Sequence, residues 1–157
     1  MLDQFLSAEP FPHLVIDNFA PEATLRAVAA AFEEVPDEAW VRYDDLDECG
    51  KRACNRWEAI PVVCRGLLSV VSSPMAATIC QWLTGIDGLV SDPTLYGGGL
   101  HETAPGGFLG VHLDNERHPT TGLARRLNLI VYCTDWSAAG GWRDEWGGQF
   151  ELWDRTC

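Results

Sequence analysis

The run Phe108-Leu-Gly-Val-His112-Leu-Asp114 sets an imidazole and a carboxylate two residues apart among apolar neighbours. Successive side chains of a strand point to opposite faces, so His112 and Asp114 are predicted to share one face while Val111 and Leu113 pack behind them. Such a pair is either a hydrogen-bonded couple or two ligands of a metal. A second run, Arg126-Leu-Asn-Leu-Ile-Val-Tyr-Cys133, sorts by the same period into an apolar face of Leu127, Leu129, Val131 and Cys133 and a face of Arg126, Asn128, Ile130 and Tyr132. The guanidinium, amide and phenol of the second face are groups that receive a small carboxylate. If both runs line one cavity, potential metal ligands stand beside an anion-binding wall.

Two histidines and one carboxylate on one side of a metal leave open positions, the arrangement of non-haem Fe(II) oxygenases. Two open positions chelate an α-keto acid and another takes O₂. An H-x-D pair alone says little, but its surroundings say more. The blocks Gly97-Gly-Gly-Leu-His-Glu-Thr-Ala-Pro-Gly-Gly-Phe-Leu-Gly-Val-His112-Leu-Asp114, Arg125-Arg-Leu-Asn-Leu-Ile-Val-Tyr132, Asp135-Trp136 and Glu145-Trp-Gly-Gly-Gln-Phe-Glu-Leu-Trp153 follow one another in order. Over 89–153 the chain thereby resembles the prolyl 4-hydroxylase-like group of Fe(II)/2-oxoglutarate dioxygenases.

The resemblance implies an α+β protein with a double-stranded β-helix (jelly-roll) core. Its cofactors would be Fe(II), 2-oxoglutarate as cosubstrate and ascorbate, and its activity hydroxylation of an unactivated C–H bond in a small-molecule or protein substrate, prolyl residues or amino-acid-like molecules foremost. His112 and Asp114 match the first two iron ligands, Tyr132 a tyrosine that contacts the far carboxylate of 2-oxoglutarate, Asn128 a position lining the same pocket, and His101 lies near a further cosubstrate-contacting position. Arg126 shares the face of Asn128 and Tyr132. Gly147-Gly148 resembles the turn opening the next core strand.

The pattern also requires a distal histidine and, beyond it, an Arg or Lys; after Asp114 the sequence offers only His118. His118 precedes Pro119 in a polar turn and is expected to be an exposed bystander. His13 or His101 would reach the metal only by departing from the family. Three expectations stand: the chain is an incomplete copy of a working dioxygenase lacking its C-terminal strands, a fragment that binds without catalysis, or a partner to a second chain that completes the β-sheet and supplies the histidine. Halogenation would need a small residue in place of Asp114.

The elements that must position these residues are read from the rest of the chain. A strand is predicted over 11–19, followed by a helix opened by Pro21, whose apolar stripe runs through Leu25, Val28, Ala29 and Phe32 until Pro36 stops it. Two more helices are predicted over 61–71 and 73–83, the second capped by Ser73 with Pro74 in its first turn and closed by Gly85. The polar stretch 43–56, with the acidic run 44–48, reads as a solvated loop. From Leu89 onward, strands are predicted at 89–96, 108–114, 126–134 and 148–153. A mostly helical support (1–88) thus precedes a β core (89–157) within a single domain. The Trp-rich loop 136–146 is expected to cap the core.

At 157 residues, 46% hydrophobic and with seven Trp and six Phe, the chain can build a core. Its 23 acidic against 11 basic residues, a net charge of −12, oppose docking on nucleic acid or anionic lipid. No run approaches the length of a membrane span, and a cytoplasmic protein with free thiols at its six cysteines is expected. The rival to the enzyme is a β-sandwich interaction module in which His112 and Asp114 only hydrogen-bond and loop 136–146 meets a partner.

Overall fold

The computed structural model describes residues 1–134 and 142–154. The three helices expected from the apolar periodicity are present, and a short one precedes them. α1 (Leu2–Leu6) buries Phe5 and packs along α4. α2 (Glu22–Ala30) continues as a single 3-10 turn over Ala31–Glu34, after which Val35 and Pro36 turn the chain. α3 (Val62–Val71) and α4 (Pro74–Thr84) follow one another with a 45° bend at Ser72 and Ser73. The Ser73 hydroxyl accepts from the Ala76 amide at 3.1 Å, and Gly85, at φ 69°, closes α4 with its amide on the Gln81 carbonyl at 2.8 Å.

The sheet departs from expectation. β1 (Val41–Tyr43), β2 (Glu48–Cys54) and β3 (Leu100–Leu109) form one antiparallel sheet in that order. β2 and the last residue of β1 occupy the stretch predicted to be a polar loop. Charge pairing replaces apolar alternation there: across the sheet the Arg52 guanidinium bonds Glu102 on β3 at 2.7 Å and lies 4.4 Å from the Trp40 ring centre, while within β2 Lys51 meets Glu48 at 2.6 Å. The acidic run survives as a loop only at the hairpin tip, where the Asp45 carboxylate accepts from the amides of Asp47 and Glu48.

Segments 11–19, 89–96, 126–134 and 148–153 lie outside any strand, and the predicted strand 108–114 ends at Leu109. A strand exists only where a neighbour supplies ladder hydrogen bonds, and pattern alone cannot reveal the neighbour. Pro12 further removes a donor from the first segment, where Val15 and Ile16 face solvent. Residues 104–107, which include Pro105, are strand rather than break. They stand opposite Gly50, where the β2–β3 register shifts. The α+β class therefore holds as helices beside one three-stranded sheet; the described residues do not form the second sheet of a jelly-roll.

The core gathers Val28, Ala31, Val35, Ala39, Trp40, Cys54, Ile60, Cys64, Leu95 and Leu100, with Phe32, Leu67, Leu68 and Cys133 against it. It joins both halves of the chain. Cys49, Cys54, Cys64, Cys80 and Cys133 are free thiols, and Cys157 and Trp136 lie outside the described residues. Trp142 and Trp146 of the Trp-rich loop meet edge-on at 5.7 Å rather than entering that core. No single helix among the described residues is long and apolar enough to cross a membrane.

Ile60 is 1% exposed, and Ile60→Ala is expected to cost about 2–5 kcal/mol in urea unfolding through lost burial and the cavity left behind. Val62→Ala, at a side chain 74% exposed, should stay within about 0.5 kcal/mol of the parent.

Candidate functional site

β3 delivers the chain to the site. At its end the Gly110 amide donates to the Asp47 carbonyl at 2.6 Å, and the backbone leaves the sheet through 110–114. His112 and Asp114 are therefore not on a strand, yet they converge: His112 Nε2 lies 3.7 Å from Asp114 Oδ1. His112 Nδ1 is 2.8 Å from the Gly110 carbonyl oxygen. A carbonyl can only accept, so Nδ1 points an N–H at it and Nε2 is the nitrogen turned toward Asp114, the orientation a metal-binding imidazole needs.

The other oxygen of Asp114 is held from the opposite side. A hairpin folds at 119–122, with a bridge between Arg117 and Ala124 and the Arg125 amide on the Glu116 carbonyl at 2.8 Å. It returns 125–128 to Asp114, where Arg125 Nη1 stands 3.1 Å from Oδ2 and Asn128 Nδ2 donates to the same oxygen. Arg125 also donates from Nη2 to the Tyr96 carbonyl at 3.0 Å. Asp114, Arg125, Arg126 and Asn128 line a shallow recess of about 220 Å³.

Of the predicted residues, His112, Asp114 and Asn128 are brought into one cluster, and Arg126 borders the same recess. His101 projects from β3 opposite Ala53. Crowding by protein atoms holds its imidazole below the ordinary histidine value and Lys51 acts in the same sense, while the Gly98 backbone and the carboxylates of Asp114 and Glu48 oppose them. His101 is thus electrostatically within reach of Asp114. Tyr132 is half-exposed with no hydrogen bond joining it to the cluster, and partial burial raises its phenol above the ordinary tyrosine value. Arg125 is the residue that sequence reasoning missed. Period-two alternation favours Arg126, but 126–134 forms no ladder, and the adjacent Arg in the pair makes the contact.

His118 is not the exposed residue expected of a polar turn; its side chain is 12% exposed. The amides of Thr120 and Thr121 donate to Nδ1, so the proton sits on Nε2 and is directed at Thr94 Oγ1, 2.8 Å away. That hydroxyl in turn donates to Asp92 at 2.7 Å, and the Tyr96 ring packs on the imidazole at 5.2 Å. Both nitrogens of His118 are committed, and it has none to offer a metal. Burial alone would raise the Asp92 carboxyl, but the Thr94 hydroxyl, the amides of Thr94 and Tyr96 and nearby His118 hold it below its ordinary value.

The family model of the 2OG-Fe(II) oxygenase superfamily matches residues 98–157. No curated protein and no solved structure matches the chain. The matched stretch contains His101, His112, Asp114, Arg126, Asn128 and Tyr132, and the match supports a general oxygenase function with Fe(II) and 2-oxoglutarate. The mixed helices and three-stranded sheet are compatible with such a domain. An imidazole nitrogen and a carboxylate oxygen facing each other fit two protein positions of a first-row divalent metal. No group of three His, Cys, Asp or Glu side chains gathers to hold a metal among the described residues.

The Asp92 network predicts a pH signature. A depressed carboxylate contributes stability above its unfolded value, about 4, and loses it as pH falls through the folded value. Asp92→Asn should therefore unfold more easily than the parent at neutral pH, with the gap closing in acid; a gap independent of pH from 7 to about 3 in urea titrations would remove the carboxylate from this role.

Proposed function

We propose that this chain carries the iron- and cosubstrate-binding face of an Fe(II)- and 2-oxoglutarate-dependent hydroxylase of the prolyl 4-hydroxylase-like group, acting in the cytoplasm on an unactivated C–H bond of a prolyl residue or amino-acid-like molecule. The observation that carries this reading is His112 Nε2 facing Asp114 Oδ1 at 3.7 Å, inside the matched stretch. When bound, the iron and 2-oxoglutarate supply the oxidising power through decarboxylation of the keto acid, with ascorbate keeping the metal reduced.

The chain's own residues supply position and charge. His112 and Asp114 would hold the metal. Arg126, beside the same recess, would offer a cation to a carboxylate ligand, and Asn128 restrains Asp114 by its amide. The raised pKa of Tyr132 keeps its phenol protonated and able to donate to a carboxylate. His101, held neutral, adds no competing positive charge next to Asp114. The double-stranded β-helix of the group needs a second sheet, and the extended run 126–134 is where further strands, of this protein or a second chain, would pair.

With Fe(II), 2-oxoglutarate and O₂, the purified protein is expected to release succinate, and His112→Ala and Asp114→Ala to abolish that release. No succinate from the parent, or equal release by both variants, would overturn the reading. Tyr132→Phe should raise KM for 2-oxoglutarate about tenfold, the worth of one hydrogen bond to a charged group; an unchanged KM takes Tyr132 out of the pocket.

A second reading draws on the half-exposed Leu129, Ile130 and Tyr132, which leave apolar surface beside the site. In it the chain is a catalytically inactive interaction module. Such a module would bind its partner equally well with a metal chelator present, whereas binding by the oxygenase would weaken.

A further inference from the structure

The geometry points to Arg125 as a positioning residue that selects which oxygen of Asp114 faces the metal; the inference rests on the oxygenase reading above. Its side chain is 20% exposed and bridges two anchors, Asp114 Oδ2 at 3.1 Å and the Tyr96 carbonyl at 3.0 Å. A guanidinium donates along fixed directions, so a fork held at both ends cannot follow a rotating carboxylate. With Asn128 on the same oxygen, Oδ2 is doubly bonded to donors and Oδ1 alone is left toward His112 Nε2. Asp114 is thereby set up to give one oxygen, not two.

Two further features show that the seat is shaped for Arg125. Gly97 sits at φ 69°, and a Cβ there would fall 2.3 Å from Arg125 Nη2, so the glycine leaves the space the guanidinium fills. The Tyr96 carbonyl is itself fixed, because the Tyr96 amide donates to Asp92 Oδ2 at 2.7 Å and the ring packs on His118. A line of contacts runs from Asp92 through Tyr96 and Arg125 to Asp114. Metal ligands restrained by outer partners in this way bind more tightly than free ones.

The test is titration of the full chain with Co(II), read by its visible absorption, for the parent, Arg125→Lys and Gly97→Ala. Lys keeps the charge but cannot hold both anchors; Gly97→Ala keeps Arg125 but removes its seat. Both variants are expected to weaken Co(II) binding about 10–100-fold and to change the absorption bands as Asp114 turns both oxygens to the metal. Thermal melts establish the folded fraction, and either variant, once folded, decides the question. Parent-like affinity and spectrum in a folded variant overturn the positioning role while leaving the oxygenase reading standing. A parent that takes up no Co(II) overturns that reading itself, and the role with it.

Discussion

The pairing of β2 with β3 is the contact on which the remaining structure depends. At one end of the pair Cys54 faces Leu100, and both side chains are buried in the core. At the other, Glu48 faces Leu109, and beyond it the Gly110 amide is fastened to Asp47. β3 therefore starts inside the apolar cluster and ends at the surface, and the chain that leaves it carries His112 and Asp114 into solvent-accessible space. Apolar burial fixes where the strand begins; hydrogen bonding to the hairpin loop fixes where it stops. The site inherits its place from both.

α2, α3 and α4 were legible because their information is local. The stripe of Leu25, Val28 and Phe32, the Ser73-Pro74 start and the Gly85 stop each act within a few residues. The strands were not, because their partners lie far along the chain. β2, Glu-Cys-Gly-Lys-Arg-Ala-Cys, is a run that no alternation rule would select, and it is a central strand because β1 and β3 supply ladders on its two sides, with Arg52 meeting Glu102 fifty residues away across one of them. Conversely, 126–134 has the composition of a strand and no ladder to join. Composition measured what these segments tolerate, and pairing decided what they became.

The same division runs through the site. His112 and Asp114 were readable from spacing, although the strand face invoked to unite them is absent: local backbone beyond Leu109 brings the two side chains together instead. Arg125 was not readable. Its role depends on a hairpin whose bridge is at Arg117 and Ala124 and on a glycine at position 97, neither of which alternation within 126–133 can register.

The contrast between His112 and His118 shows why residue type is a weak guide to ligation. They lie six positions apart in one loop region, yet their backbone partners impose opposite tautomers. His118 Nδ1 receives two amides, which forces its proton onto Nε2 and toward Thr94. His112 Nδ1 faces a carbonyl, which holds an N–H there and turns Nε2 toward Asp114. Of the two, His112 alone has an Nε2 turned to a carboxylate of the recess, and it faces the one oxygen of Asp114 that the arginine leaves free.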